Sequence, residues 1–97
     1  YVAWLGIFQY QKNLTALLSI AKNSPSTLFY IAGKDGFLDS ATKDAISKLK
    51  SMKNVKFVGY LHRSKVMSFL SEAYVLLNTS HYEGFPSTFL ESFAAVS

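Results

Sequence analysis

Residues 27–33 read TLFYIAG, an apolar run that closes on a glycine. It is too short for a helix of ordinary length, and its residues favour strand. Polar positions do not alternate through it, so both of its faces must meet apolar neighbours. A strand of that kind belongs in a parallel sheet covered on both sides. Upstream, NLTALLSIAKN (13–23) sets Leu14, Leu17, Leu18 and Ala21 at i, i+3, i+4 and i+7. That spacing predicts one face of a helix, with Asn13 as its N-cap and Pro25 just past its end. Further upstream, YVAWLGI (1–7) is another apolar strand.

Downstream the pattern repeats. Asp39 or Ser40 is expected to cap a helix whose inner face carries Ala41, Ala45, Leu49 and Met52. VKFVG (55–59) is a third strand. Ser64 is expected to cap a helix bearing Val66, Phe69, Leu70 and Ala73. YVLLN (74–78) is a fourth strand. A last helix is predicted from near Pro86, with Phe89, Leu90, Phe93 and Ala94 inward. The order β-α-β-α-β-α-β-α, with right-handed crossovers, specifies an α/β fold: a Rossmann-like, doubly wound parallel sheet. Residues 1–97 form one domain, with no internal repeat. The expected strand order is 3-2-1-4, which leaves YVLLN as an apolar edge open to self-association.

Composition narrows the function classes. Hydrophobic residues make up 49% and charged residues 16%, a globular balance. The net charge is +4, with Lys43, Lys48, Lys50, Lys53 and Lys56 on or near one helix. A solvated helix face accounts for them, and a phosphate or anionic membrane surface is the minority reading. Nucleic-acid binding would call for basic residues clustered with exposed aromatics, whereas most aromatics fall on apparent core faces. There is no cysteine, which excludes disulfides and cysteine–zinc sites. His62 and His81 are the only imidazoles and form no metal-ligand pattern, so neither metal nor cofactor is expected. No apolar run reaches a membrane span and no signal peptide is recognisable, so a cytoplasmic protein is expected, with peripheral membrane contact as an option. The sequence lacks an initiator methionine and reads as part of a longer protein.

In an open parallel sheet, ligands bind outside the carboxyl ends of the strands. Four loops reach that edge: GIFQYQKN (6–13), GKDGFLDS (33–40), GYLHRS (59–64) and NTSHYEGFPS (78–87). Gly6, Gly33, Gly59 and Gly84 lie in them, where glycine either lets backbone approach a ligand or simply turns the chain. Pro86 suits the first position of a helix. The amides of Ser87, Thr88 and Phe89 would then point from the helix N-terminus, a ready anion site suited to a diphosphate. Glu91 lies one turn on and leans toward the same opening. A carboxylate repels phosphate but accepts two hydrogen bonds from a vicinal diol such as ribose. Glu83 faces the cleft from the other side of the turn. It could bind sugar hydroxyls or stabilise positive charge at an anomeric carbon. For either glutamate alone, helix-dipole stabilisation of about 0.3–1 kcal/mol is a sufficient reason.

The stretch EGFPSTFLE (83–91) resembles the E-x7-E motif of retaining nucleotide-sugar glycosyltransferases of group 1, also called family 4. LGIFQYQKNLTALL resembles that family's first strand and loop, and LFYIAGKDG its second strand ending in A-G-x-G. NVKFVGYLHRSKVMSFLSEAYVLLNTSHYEGFP is similar to its N-V-x-F-x-G, helix, strand and S-x-x-E-G-F-P order. The resemblance implies a GT-B enzyme, of which this chain is the C-terminal, donor-binding half, truncated before its fifth strand and lacking the N-terminal acceptor domain. It implies a nucleoside-diphosphate sugar donor, an acceptor that is a saccharide or lipid-linked, and retention of anomeric configuration. Glu91 would then hold the ribose, and Glu83 would lie by the donor sugar and its phosphate. Gly84, Phe85 and Pro86 would read sugar hydroxyls, and Ser87 and Thr88 would cradle the diphosphate. Lys12 would neutralise the leaving group, with His62 or Arg63 near the base. The family's arginine after Gly6 is Ile7 here. A non-catalytic module that keeps the fold is the competing reading.

Overall fold

The computed structural model describes residues 1–80. Its elements are β1 (Val2–Phe8), a 3-10 turn (Tyr10–Lys12), α1 (Leu14–Lys22), β2 (Phe29–Asp35), α2 (Ser40–Lys50), β3 (Val55–Gly59), α3 (Arg63–Ser71) and β4 (Val75–Leu76). The strands form one parallel sheet in the order β3-β2-β1-β4. The helix predicted from Pro86 lies outside the described residues.

Side chains alternate across the strands and feed two cores. Trp4, Phe8, Phe29 and Ile31 pack with α1 and α2 on one face. Ala3, Ala32 and Leu76 pack with Phe69, Leu70 and Ala73 on the other. Helices on both faces account for the unbroken apolar character of TLFYIAG: successive residues bury in opposite directions. Tyr1 stacks on Tyr30 with ring centroids 4.3 Å apart, and its hydroxyl donates to the Phe69 carbonyl, closing the α3 side. Burial raises the Tyr1 phenol above its ordinary pKa, with Glu72 adding to the effect.

Several local expectations hold and others are corrected. The Asn13 side chain accepts from the Ala16 N–H at 3.2 Å, as expected of an N-cap. Its backbone is left-handed, at φ 52° and ψ 61°, because its own N–H also closes the 3-10 turn onto Tyr10. Asparagine tolerates that conformation better than most residues. In α2 the buried face is Thr42, Ala45, Ile46 and Leu49, and Ala41 is exposed. The larger Ile46 and Leu49 set which face turns inward. Thr42 can join it because its hydroxyl donates to Asp39, which lowers the Asp39 carboxyl pKa. The α3 cap is His62, not Ser64, so the helix starts one residue before the expected cap, at Arg63. β2 runs two residues past Gly33 because Lys34 and Asp35 still pair with Ile7 and Phe8. β4 is only two residues long, extended on β1 by Tyr74 N–H to Tyr1 O and Leu77 N–H to Ala3 O, each 2.8 Å. Lysines 43, 48, 50, 53 and 56 are all exposed, as expected of a solvated face. Lys48 meets Asp44 at 3.0 Å, and Lys50 lies over the Phe57 ring. Tyr10, Phe37, Tyr60 and Tyr74 are exposed aromatics that the periodicity did not single out.

Asn54 ties the opposite edge of the sheet. Its side-chain amide reaches the carbonyls of Ala21, Ser24 and Thr27 at 3.1–3.2 Å, while its own carbonyl accepts from Phe29 N–H. The end of α1, the following loop and the starts of β2 and β3 are thereby joined.

Two glycines have different reasons to be glycine. A Cβ on Gly33 would lie 1.8 Å from the Gly6 carbonyl oxygen, its partner across β1 and β2. Gly59 sits at φ +83°, with open space where a Cβ would go. It follows a bulge in which Val58 is the extra residue between Phe57 and Gly59. Gly33→Ala is therefore expected to cost about 3 kcal/mol or more, on the scale of severe steric lesions. Gly59→Ala is expected to cost about 1–2 kcal/mol, the strain of a left-handed backbone. Urea unfolding of the two variants measures the difference, and equal losses would contradict it.

Candidate functional site

At the carboxyl edge, β1 has β2 on one side and β4 on the other, although β4 follows it only after two intervening strands. This is the point where the winding reverses, the usual place for a ligand crevice. A narrow crevice of about 50 Å³ opens there, lined by Trp4, Leu5, Lys12, Asn78, Thr79 and Ser80 among others. Lys12 is half-buried at the end of the 3-10 turn. Its aliphatic stem crosses Gly6, with Cδ 3.6 Å from the place a Gly6 Cβ would occupy.

Thr79 fixes this corner. Its hydroxyl accepts from the Trp4 indole N–H at 3.1 Å and donates to the Lys12 carbonyl. One side chain thus joins a buried residue of β1, the loop after β1 and the loop after β4. Asn78 shapes the same loop by accepting from the Ser80 N–H at 2.8 Å, an Asx turn.

A second cavity, about 180 Å³, opens over the ends of β1, β2 and β3. Its walls are mostly apolar: Leu5, Ile7, Tyr60 and Leu61 around Gly6 and Gly33. Lys34 is the charged residue of its lining, with its ammonium 5.2 Å from the Tyr60 ring centroid. His62 meets Tyr60 nearly edge-on, at 5.6 Å between centroids. Ile7, in the place of the arginine implied by the resemblance, is 43% exposed and lines this cavity rather than the core.

The structure thus brings Lys12 and Gly6 together, and Gly6 and Gly33 together. Gly59 immediately precedes the cavity residues Tyr60 and Leu61, whereas Arg63 is exposed and is not part of the cavity lining. Glu83, Gly84, Phe85, Pro86, Ser87, Thr88 and Glu91 lie outside the described residues. Sequence reasoning missed Thr79, Lys34 and Tyr60. All three stood within the four strand-end loops, Lys34 directly after Gly33, but no spacing marked any of them. Among the described residues no group of three or more His, Cys, Asp or Glu is placed to hold a metal, and no helix is long and apolar enough to cross a membrane.

The profile of the family described as glycosyl transferases group 1 matches residues 1–96. The chain belongs to the group 1 glycosyl transferases. No curated protein matches it closely enough in sequence to count as a relative. Among solved structures, this group 1 chain is similar to an S. aureus TarM mutant in complex with fondaparinux, alpha-GlcNAc-glycerol and UDP. The TM-score is 0.74 at 19% identity, over 97% of this chain and 19% of that one. A second structure of TarM gives a TM-score of 0.68 at 21% identity, over 96% and 19%. At such identities the likeness is one of fold, a GT-B-like Rossmann unit. The chain spans about a fifth of the length of these proteins.

Thr79→Val should leave the Trp4 indole N–H without its partner. A stability loss of about 1–3 kcal/mol is expected, the scale of a buried donor left unsatisfied. Trp4 is the only tryptophan, so its fluorescence reports the change directly. Unaltered emission and stability would mean that the Thr79 link does not hold the corner.

Proposed function

We propose that this chain is the donor-binding part of a retaining glycosyltransferase, which moves a hexosyl group from a nucleoside-diphosphate sugar to a saccharide or lipid-linked acceptor. The observation that carries the reading is Lys12, whose backbone the Thr79 link anchors at the switch point of the sheet, in a chain of this family. A cation there is suited to the charge that grows on a leaving diphosphate. The UDP in the TarM complex supports a nucleotide donor. Glu83, the Gly84–Pro86 backbone, the Ser87 and Thr88 amides and Glu91 complete the proposed site as the resemblance assigns them. Because the chain is a fifth of TarM, the proposal includes a second domain that carries the acceptor. Residues 1–97 alone should bind nucleotide but transfer no sugar, since lost positioning costs orders of magnitude in rate.

Calorimetric titration with UDP and GDP, beside an assay of donor consumption, tests the proposal. Glu91→Gln is expected to weaken binding by about 1–3 kcal/mol, the scale of hydrogen bonds to a charged group, with the fold intact. Unchanged affinity in a folded variant would remove the ribose assignment. Absence of nucleotide binding by the wild type would remove the function.

Ile7 favours the second reading, a non-catalytic module that retains the fold, because the arginine that the resemblance implies after Gly6 is replaced by an apolar side chain. Its exposure makes that reading testable. Ile7→Arg should tighten diphosphate binding at low salt, and the gain should shrink as ionic strength rises. No gain at low salt would show that the phosphates do not pass this position.

A further inference from the structure

The loops after β1 and β2 meet at a third cavity, of about 320 Å³, lined by Gln9, Tyr10, Gln11 and Phe37. It shares no lining residue with the Lys12 crevice or with the cavity over β1, β2 and β3. Phe37 is 84% exposed and Tyr10 52%, so folding uses little of either ring. The backbone beneath them is nevertheless fixed. Gly36 N–H donates to the Phe8 carbonyl at 3.0 Å, and a Cβ on Gly36 would lie 2.6 Å from Ile7 Cγ2. Lys12 and Asn13 N–H close the 3-10 turn onto the carbonyls of Gln9 and Tyr10, each at 3.0 Å. A ligand therefore meets backbone that is already ordered, which lowers the cost of binding. The Gln9 side-chain amide donates to the Gln11 side-chain oxygen at 3.3 Å. Among the described residues, that leaves the Gln9 oxygen as an acceptor and the Gln11 amide as a donor toward a ligand.

The lining decides the chemistry of the occupant. None of the four side chains is charged, so a phosphate or carboxylate would find no counter-charge in it. A purely apolar occupant would cover both carboxamides without satisfying them, which is costly. A neutral sugar ring meets both demands. Its weakly positive C–H face lies against the electron-rich face of an aromatic ring, and its hydroxyls both donate to and accept from carboxamides. We propose that this cavity is a saccharide-binding site, apart from the donor crevice, in which Tyr10 and Phe37 form a stacking platform and Gln9 and Gln11 read hydroxyls of a neutral oligosaccharide. The inference stands on this geometry and does not use the donor reading.

The test is titration of the protein with maltohexaose, cellohexaose and chitohexaose, followed by calorimetry and saturation-transfer NMR. At least one is expected to bind. Phe37→Ala should weaken it about tenfold or more, and Phe37→Trp should restore it. Gln11→Ala should weaken it about two- to tenfold, the scale of a neutral hydrogen bond. Phe37 and Gln11 are exposed, so these variants should keep the wild-type circular dichroism. UDP-glucose should not displace the oligosaccharide, because the two occupy different cavities. Displacement would place the sugar in the donor crevice and overturn the inference. So would affinity unchanged by Phe37→Ala, or no binding of any of the three at millimolar concentration. Sedimentation that shows the wild type associated and Phe37→Ala monomeric would make the rings a contact between copies, and would overturn it as well.

Discussion

The carboxyl edge of this sheet depends on one close contact. Gly33 of β2 lies against the Gly6 carbonyl of β1 with no room for a side chain between them. That approach brings the ends of the two central strands close together, and the mostly apolar cavity opens over it. Lys12 lies across Gly6, and Lys34 follows Gly33 in the next register position. A bulkier residue at either place would separate the strands and move the two lysines with them. The glycines matter here as packing before they matter as ligand contacts.

The second constraint is the shortness of β4. Two residues of ladder, of which only Leu76 is buried in a core, are a weak tie for the loop that follows. The Thr79 hydroxyl supplies the missing link by serving as acceptor for an indole and donor to a carbonyl. Hydroxyls can do both at once, whereas an indole can only donate and a carbonyl only accept. The crevice that holds Lys12 is therefore assembled from three separate loops by one small polar side chain. Side-chain links of this kind between loops are how a scaffold gives a binding edge its geometry.

Much of the fold was legible in the sequence because its signals are local. The i, i+3, i+4, i+7 spacing of Leu14 to Ala21 and the unbroken run through Phe29–Ala32 each have one sensible burial. The strand order followed from the alternation of strands and helices. What was not legible depends on tertiary partners. Ala45 and Leu49 fit an inner face shared with either Ala41 or Ile46, and the burial of Ile46 in the core turns Thr42 inward in place of Ala41. β2 continues past Gly33 because its neighbour does, which no window along Lys34 and Asp35 can reveal. Lys12 was legible through the family resemblance. Thr79, Lys34 and Tyr60 were not, since their partners are remote in sequence: Thr79 meets the Lys12 carbonyl 67 residues away, and Lys34 and Tyr60 meet each other across the sheet end.

The two ends of the sheet are built on different terms. At the amino end, the single carboxamide of Asn54 gathers three carbonyls and locks a helix end, a loop and two strand starts into one knot. At the carboxyl end, the cavity side chains Ile7, Lys34 and Tyr60 are exposed. The consequence is a division between inheritance and invention. The knotted end can keep the strands in register while residues at the open end are exchanged with little effect on folding. Exposed side chains at the open edge, Ile7 among them, carry no part of that knot.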